Sequence, residues 1–266
     1  MVEQLYHTPD IYRIYVPLPD NPLKYLNCYV LVSDGETLII DTGFNRPECK
    51  QALFDGLDEL QVDFAHTKLF LTHLHGDHSG LTEELTARGV PVFMNAIDYD
   101  YLCQELASGG WQAMEQIFLS EGFPMEEIEK QKKGNQARLY SPHHPFPASK
   151  VSDNDLLTVG GITLRCIQTP GHTPGHTCLY IEDKEIFFSG DHILFDITPN
   201  ISVWRNIPYS LADYLESLQK IKGLKVSHTK ETAENRYRAL CHSSDLFFYS
   251  RRFSDDDFCE HVTHYA

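Results

Sequence analysis

Apolar and polar residues alternate with a period of two along much of the first ninety residues, which is typical of strands that bury one face. The alternation is regular over residues 11–16, and residues 25–32 form a longer run rich in aromatic and β-branched side chains. Asp34-Gly35 then marks a hairpin turn. Strand patterns return after residue 155. We therefore expect strands at residues 11–16, 25–32, 37–40, 90–94, 156–159, 162–167, 177–181 and 185–188.

Helical periodicity interrupts these strands at two places in the first half of the chain. Residues 46–60 place Leu53, Leu57 and Leu60 on one side of a helix. Residues 81–88 predict a shorter helix, because the glycine that follows them is a common helix stop. These two helical segments lie between predicted strands.

The pattern changes between about residues 95 and 150, where helix-like segments carry many aromatic side chains. Trp111 and Phe118 lie seven residues apart and so share a helix face, which we expect to pack the core of an insertion. A proline-rich loop follows and contains His143 and His144, which we expect to be solvated rather than metal-bound.

A length of 266 residues suits one large domain or a domain with an insertion. We interpret residues 1–266 as a single domain with a helical insertion at about 95–150 and an atypical tail at about 229–266. Before that tail, Ser210 to Asp213 fits a capping box, and the helix it starts is expected to stop at Gly223.

The charge balance bears on possible partners. The formal net charge is −16, which disfavours nucleic acid because phosphates must be neutralised by Lys and Arg. No apolar run approaches the roughly 20 residues of a membrane span, so we expect no membrane partner. A small-molecule substrate is the expected partner, and homo-oligomerisation is left open.

The seven cysteines are odd in number and widely spread, which is not a disulfide framework and suggests a reducing compartment. The first residues lack the basic and apolar segments of a secretory signal. A cytoplasmic location is therefore expected.

Candidate chemistry is concentrated in the segment that follows the apolar run ending at Leu71. His73 and His75 share one side of an extended segment, because side chains two apart point the same way. Gly76 permits a sharp turn that brings Asp77 and His78 towards the same point. Neutral imidazole with a carboxylate is a preferred ligand set for zinc and related divalent ions, so this pattern indicates a metal loop.

This segment resembles the HxHxDH signature of the metallo-β-lactamase-fold hydrolases, and most closely their glyoxalase II-like and lactonase-like branch. Three further motifs match in the right order, around Asp41, His172 and Asp191. The resemblance implies an α/β fold of the αββα sandwich type. It covers residues 25 to 220, which is most of the chain.

The resemblance also implies roles for individual residues. One metal would be held by His73, His75 and His172, a second by Asp77 and His78, with Asp191 between them. Asp41 would orient ligands through hydrogen bonds. Zinc is the expected ion at both positions, with iron or manganese as alternatives.

A metal-bridging hydroxide would then cleave an ester, thioester or lactone. Asp77 would orient that nucleophile or carry its proton, as general acid–base catalysis requires. The chain is thus expected to be a metal-dependent hydrolase, and its catalytic residue Asp77.

The last ligand is where the resemblance weakens. Relatives place a Pro-Gly-His loop after the final strand, whereas this chain offers His228 behind the short run Leu224 to Val226. His228 is our candidate for completing the second metal site, between a strand and a helix, and three later histidines compete with it. These are His242, His261 and His264.

Two alternatives stay open. One is a mono-iron enzyme like the persulfide dioxygenases, with iron held by His73, His75 and either Asp191 or His172. The other is a catalytically impaired relative that binds metal but does not complete the second site. Measurements of metal content and activity would distinguish these two alternatives from the metal-dependent hydrolase.

Overall fold

Two β-sheets form the centre of the fold in the computed structural model, which describes residues 1–108, 115–116, 118–195, 197–202 and 204–231. The first sheet has seven strands in sequence order, antiparallel from β1 to β4 and parallel from β4 to β7. Its strands are β1 (Val2–His7), β2 (Asp10–Pro17), β3 (Tyr25–Ser33), β4 (Glu36–Ile40), β5 (Thr67–Leu71), β6 (Val92–Asn95) and β7 (Ser149–Val151).

The second sheet has five strands in the order β12-β11-β10-β9-β8. Neighbouring strands are antiparallel except β11 and β12, which run parallel. These strands are β8 (Leu156–Val159), β9 (Ile162–Gln168), β10 (Thr177–Ile181), β11 (Ile186–Gly190) and β12 (His228–Glu231). A short 3₁₀ turn, Glu182–Lys184, connects β10 to β11.

A hydrophobic core fills the space between the two sheets. Leu31 and Phe70 from the first sheet and Leu164 and Phe188 from the second belong to one buried cluster. Because β4 and β5 are covered on both faces, each ends in three consecutive buried apolar residues, as parallel strands in a layered fold do.

Helices cover the outer face of each sheet. The helices described are α1 (Pro47–Glu59), α2 (Gly76–Ser79), α3 (Thr82–Thr86), α4 (Ala96–Ser108), α5 (Met125–Gly134), α6 (Gln136–Leu139) and α7 (Ser210–Lys222). Leu53 and Leu57 of α1 pack with the first sheet, whereas Ile221 of α7 packs with Phe187 of the second. The order of layers is helix, sheet, sheet, helix, so the predicted α/β fold of the αββα type is confirmed.

The start of α7 differs from its prediction. Tyr209 occupies the N-cap position without a side-chain cap bond, and Ser210 lies one residue inside the helix. The Ser210 hydroxyl is buried and has no hydrogen-bond partner among the described residues. The capping-box prediction is therefore wrong, although the helix itself and its stop at Gly223 are confirmed.

Helices α4, α5 and α6 lie between β6 and β7, in the segment predicted to be an insertion. Trp111 lies outside the described residues, so its expected packing stays a prediction. His143 and His144 are both exposed, as predicted. Over the described part of the chain, no helix has the length and apolarity that crossing a bilayer requires.

Candidate metal centre

The segment that follows β5 forms the floor of the site. Strand β5 is buried, and its end delivers His73 and His75 before the short helix α2 begins at Gly76. Gly80, after α2, lies so close to the segment between β4 and α1 that an added Cβ would come within 2.5 Å of the Asn45 nitrogen. Only glycine fits this approach, which places the histidine loop against the loop that starts at Asp41.

Three imidazole nitrogens meet above this floor. Nε2 of His73 lies 2.9 Å from Nδ1 of His75 and 3.3 Å from Nε2 of His172. The remaining pair, Nε2 of His172 and Nδ1 of His75, is 3.0 Å apart. The structure therefore brings together, from two loops about 100 residues apart, the three histidines assigned to the first metal.

Hydrogen bonds on the other ring nitrogens determine which atoms face the cluster. Nδ1 of His172 lies 2.7 Å from the Asn200 carbonyl oxygen, which only accepts, so this nitrogen carries the proton. Nδ1 of His73 lies 3.0 Å from the Thr72 hydroxyl, which in turn is 2.8 Å from an oxygen of Asp41. The Nε2 atoms of His73 and His172 are thereby left unprotonated, and their lone pairs face each other.

The donor set fits a divalent metal ion. Two lone pairs at 3.3 Å repel unless a cation lies between them. Nitrogens bound tetrahedrally to zinc at about 2.0–2.1 Å lie roughly 3.3 Å apart, close to the observed spacing. Burial, followed by the neighbouring histidines, lowers the pKa of His73 and of His75 well below the usual range, so both are neutral ligands at neutral pH.

A second group of candidate ligands lies beside the first and shares His73 with it. Nε2 of His78 is 3.5 Å from Oδ1 of Asp191 and 3.8 Å from Oδ2 of Asp77. Asp191 also approaches the first group, with Oδ2 3.5 Å from Nε2 of His172. Nε2 of His78 is buried and has no hydrogen-bond partner in the described part of the chain. An uncompensated buried nitrogen of this kind is what an absent metal would leave.

Asp41 is linked by hydrogen bonds to both groups of candidate ligands, through Thr72 to His73 and directly to His78. Its carboxylate accepts hydrogen bonds from the Thr72 amide at 2.9 Å and from Nδ1 of His78 at 2.8 Å. Asp41 is fully buried and has a φ of +61°, a conformation that costs free energy in a non-glycine residue. These contacts would let Asp41 orient the candidate metal ligands, which is the role that the sequence resemblance implies.

Burial and neighbouring charges shift the pKa values of His78 and Asp77. Burial lowers the pKa of His78, but Asp191, Asp41 and Asp77 together outweigh it and hold that pKa well above its usual value. Burial raises the pKa of Asp77, and the nearby Asp191 raises it further. Both effects favour the protonated form of the Asp77 carboxyl group.

The structure also reveals two residues that hydrogen-bond to the ligand loops and that sequence patterns did not indicate. Asp98, in the first turn of α4, accepts from the Leu74 amide at 3.1 Å and from the Thr173 hydroxyl at 2.6 Å, so it joins the two ligand loops. Burial raises the pKa of Asp98 to about 7. In the sequence, Asp98 has the pattern of an ordinary acidic residue at a helix start, which gives no sign of this role.

Trp204 is the second such residue. Its indole Nε1 donates to the His172 carbonyl oxygen at 3.1 Å, and its ring lies 6.0 Å from the ring of His75. Trp204 thus fixes the backbone of His172, and the Asn200 carbonyl fixes its ring. The only sequence signal is that Trp204 is one of two tryptophans in the chain.

His176 and Gly190 position Asp191. The Asp191 amide donates to Nε2 of His176 at 3.1 Å. Gly190 has a φ of +52°, and a Cβ there would lie 2.6 Å from the same Nε2 atom. A side chain at position 190 would therefore displace the histidine that holds Asp191.

His228 is not brought to this cluster. It is the first residue of β12 and pairs with Ile186, at the opposite end of β11 from Asp191. Its ring instead contacts the ring of Tyr6, with centroids 5.4 Å apart. The interpretation of residues 224–226 as the strand before it is wrong, because the strand begins at His228 itself. His242, His261 and His264 lie outside the described residues.

A cleft of about 550 Å³ opens above the candidate ligands. Its floor contains His75, Asp77, His172 and Asp191. Its walls come from the β2–β3 loop, the β4–α1 loop, the α5–α6 region and the segment after β11. The lining residues there are Asp20, Asn21, Pro22, Leu23, Phe44, Gly134, Gln136, Leu194, Ile197, Thr198 and Asn200.

The sequence profile of the metallo-beta-lactamase superfamily matches residues 22–227, a stretch that contains all the clustered ligands. This chain belongs to that superfamily. The resemblance inferred from the sequence motifs is thereby confirmed.

Individual relatives give the same family. The chain is 28% identical over 220 residues to an atrochrysone carboxyl ACP thioesterase of Emericella nidulans, a match that covers 83% of this chain and 53% of the relative. A beta-lactamase-like protein 2 homolog of Caenorhabditis elegans is 26% identical over 206 residues, covering 77% of this chain and 54% of the relative. The chain thus spans about half the length of these curated relatives.

Among solved structures, a metallo-beta-lactamase family protein of Thermus thermophilus is similar with a TM-score of 0.75 and 29% identity. The match covers 91% of this chain and 80% of that protein. Superfamily membership and the cluster of histidines and aspartates together support a metal-dependent hydrolase in general terms.

Proposed function

We propose that this chain hydrolyses an ester, thioester or lactone with two divalent metal ions, zinc being the expected ion. The observation that carries the proposal is the triangle of imidazole nitrogens of His73, His75 and His172 at the floor of an open cleft. Among the three substrate types we favour a thioester, because curated relatives that match most of this chain are named thioesterases.

The residues divide the work between binding and proton transfer. His73, His75 and His172 would hold one ion, and His78, Asp77 and Asp191 would contact the second. A bound divalent ion supplies Lewis acidity, which polarises a carbonyl and lowers the pKa of a coordinated water. Asp77 lines the cleft and has a raised pKa, so its carboxyl group can take a proton from water and deliver it to the leaving group.

The decisive experiment is metal quantification on protein purified without chelator, coupled to activity on one thioester and one lactone. We expect about two zinc ions per chain, hydrolysis of the thioester, and loss of activity after metal removal with recovery on adding zinc. Bound metal without turnover on either substrate would contradict the proposal and favour the catalytically impaired alternative.

One observation supports a mono-iron alternative. Ligand atoms of His73, His78 and Asp191 all lie within 4.8 Å of one another, so two histidines and one carboxylate can face one ion, as in non-haem iron oxygenases. One iron per chain and oxygen uptake with a persulfide would establish that alternative in place of hydrolysis.

A further inference from the structure

The walls of the cleft carry an unusual charge pattern. Of the residues that line it in the described part of the chain, the charged ones are Asp20, Asp77 and Asp191, and neither lysine nor arginine is among them. Asp77 and Asp191 lie on the floor with the candidate metal ligands. Above the floor, the walls therefore offer no positive charge to a substrate.

Arg46, a basic residue that pairs with Asp20 of the cleft lining, is already neutralised. Arg46 lies 3.3 Å from Asp20 and 3.2 Å from Glu48, and it also donates to the Pro19 carbonyl at 3.2 Å. Its side chain is only 14% exposed and packs over the ring of Tyr140. Arg46 therefore cannot pair with an anion in the cleft without giving up these contacts.

Two polar side chains of the outer wall, Asn21 and Gln136, already make hydrogen bonds within the protein. Nδ2 of Asn21 donates to Oε1 of Gln136 at 3.0 Å, and Nε2 of Gln136 donates to the Pro19 carbonyl at 3.1 Å. These bonds connect the β2–β3 loop to α6 across the cleft. A carboxylate on a substrate would have to break these bonds to use the amide of Asn21 or Gln136 as a donor.

Most of the other side chains that line the outer wall are apolar. Leu23, Phe44, Leu194 and Ile197 line it together with Pro22. A charged group placed against such a wall loses its hydration without gaining a partner, which is strongly unfavourable. An uncharged group gains from the transfer of its apolar surface out of water.

We infer that the cleft selects an uncharged, apolar acyl group and rejects acyl groups that carry a second carboxylate. The inference rests on the proposed function and specifies its substrate class. In the reaction, the oxygen of water bonds to the acyl carbon and the carbon–sulfur bond breaks. The thiol leaves with a proton, and the acyl group leaves as a carboxylic acid.

The test compares two thioesters of N-acetylcysteamine that differ in one charge. One carries a hexanoyl group and the other an adipoyl group, which has the same six carbons and a free carboxylate at its far end. With zinc-loaded protein we expect kcat/KM to be at least about ten-fold higher for the hexanoyl thioester, because the adipoyl carboxylate loses hydration without a partner. Equal values, or a preference for adipoyl, would overturn the inference.

A charge placed in the wall provides a second test. Ile197 lines the cleft and is 45% exposed, so Ile197→Lys adds a cation at its edge. We expect this variant to reduce the ratio of kcat/KM for the hexanoyl thioester to kcat/KM for the adipoyl thioester by about five-fold or more, because the added cation pairs with the adipoyl carboxylate. The matched control is Leu215→Lys on the exposed face of α7, which lies outside the lining and should leave the preference unchanged. A preference that both variants leave unchanged would count against the inference.

Binding of analogues separates this inference from the proposed function. The two ketones in which CH₂ replaces the thioester sulfur are not hydrolysed, and calorimetry measures their affinity without turnover. Tighter binding of the hexanoyl analogue would support the inference even if neither thioester were cleaved, an outcome that would defeat the proposed function alone. Equal binding of both analogues would overturn the inference even for an active thioesterase.

Discussion

The two groups of candidate ligands differ in how completely the described chain surrounds them. In the first, three nitrogens lie within 3.3 Å of one another, and both His73 and His172 are held by hydrogen bonds on their other ring nitrogen. In the second, the polar atoms of His78, Asp77 and Asp191 lie 3.5 to 3.8 Å apart, and Nδ1 of His78 donates to Asp41. The comparison indicates a preorganised first site and a looser second one.

The difference follows from where the ligands originate. The first group comes from two loops that Asp98 joins directly. The second gains no ligand from His228, because that residue lies at the end of β12 away from Asp191. Since β11 and β12 run parallel, the chain leaves β12 at Glu231 on the side where Asp191 lies. We therefore expect the first site to bind metal more tightly than the second.

The largest effect should come from His73→Ala, because His73 belongs to both groups. We expect metal content to fall to near zero and hydrolysis to disappear, since the remaining ligands cannot replace the lost bond. Elemental analysis and a thioester assay measure the two quantities. The control is His144→Ala, a loop histidine whose side chain is 78% exposed and which should leave both unchanged. Full metal content in the His73 variant would refute the assignment of this centre.

Asp41→Asn should affect the second group more than the first. Asparagine tolerates the positive φ at this position, so the backbone is not strained further, but the carboxylate that orients His78 is lost. We expect metal affinity at the second site to fall about 10- to 100-fold, and stoichiometry to move from two ions towards one. Titration with zinc in a calorimeter measures both the affinity of each site and the stoichiometry. Asp63→Asn, at an exposed turn, is the matched control. Equal weakening of both sites would remove the distinction between them.

Trp204→Phe should produce a smaller change in the first group. The variant keeps an aromatic ring near His75 but loses the donor to the His172 carbonyl. We expect metal affinity at the first site to fall about two- to ten-fold, the equivalent of one ordinary hydrogen bond. Tyr99→Phe removes a hydrogen bond to the Phe146 carbonyl, away from the ligands, and should not alter metal affinity. Identical metal affinities for the two variants would show that Trp204 does not position His172.

The smallest effect on metal content is expected from His228→Ala. The sequence alone assigned a metal ligand here, whereas the structure places the ring against Tyr6. We expect unchanged stoichiometry and a loss of about 0.5–1.5 kcal/mol in the free energy of unfolding from that ring contact. Loss of one ion per chain would restore the original assignment and remove the asymmetry between the two groups.

Several features of this protein could be predicted from the sequence because they depend on local patterns. The helix at Pro47–Glu59 and the strand at Thr177–Ile181 follow directly from the spacing of apolar residues. The HxHxDH segment identified the family, since the strand, the turn and the ligands are contiguous. His172 and Asp191 were also recognised, because glycines and prolines mark the loops that carry them.

Tertiary structure decided the contacts that join distant segments. Asp98 and Trp204 look ordinary in their own segments, and their roles exist only because α4 and the loop after β11 fold against the histidine loops. His228 looks like a metal ligand in the sequence but does not lie at the site. Its position in the sheet depends on the register of β12 against β11. A shift of three residues along a strand moves a side chain by about 10 Å, which separates a ligand from a surface contact. Pairing with Ile186 sets that register, and a partner strand about 40 residues away is not visible in a local pattern.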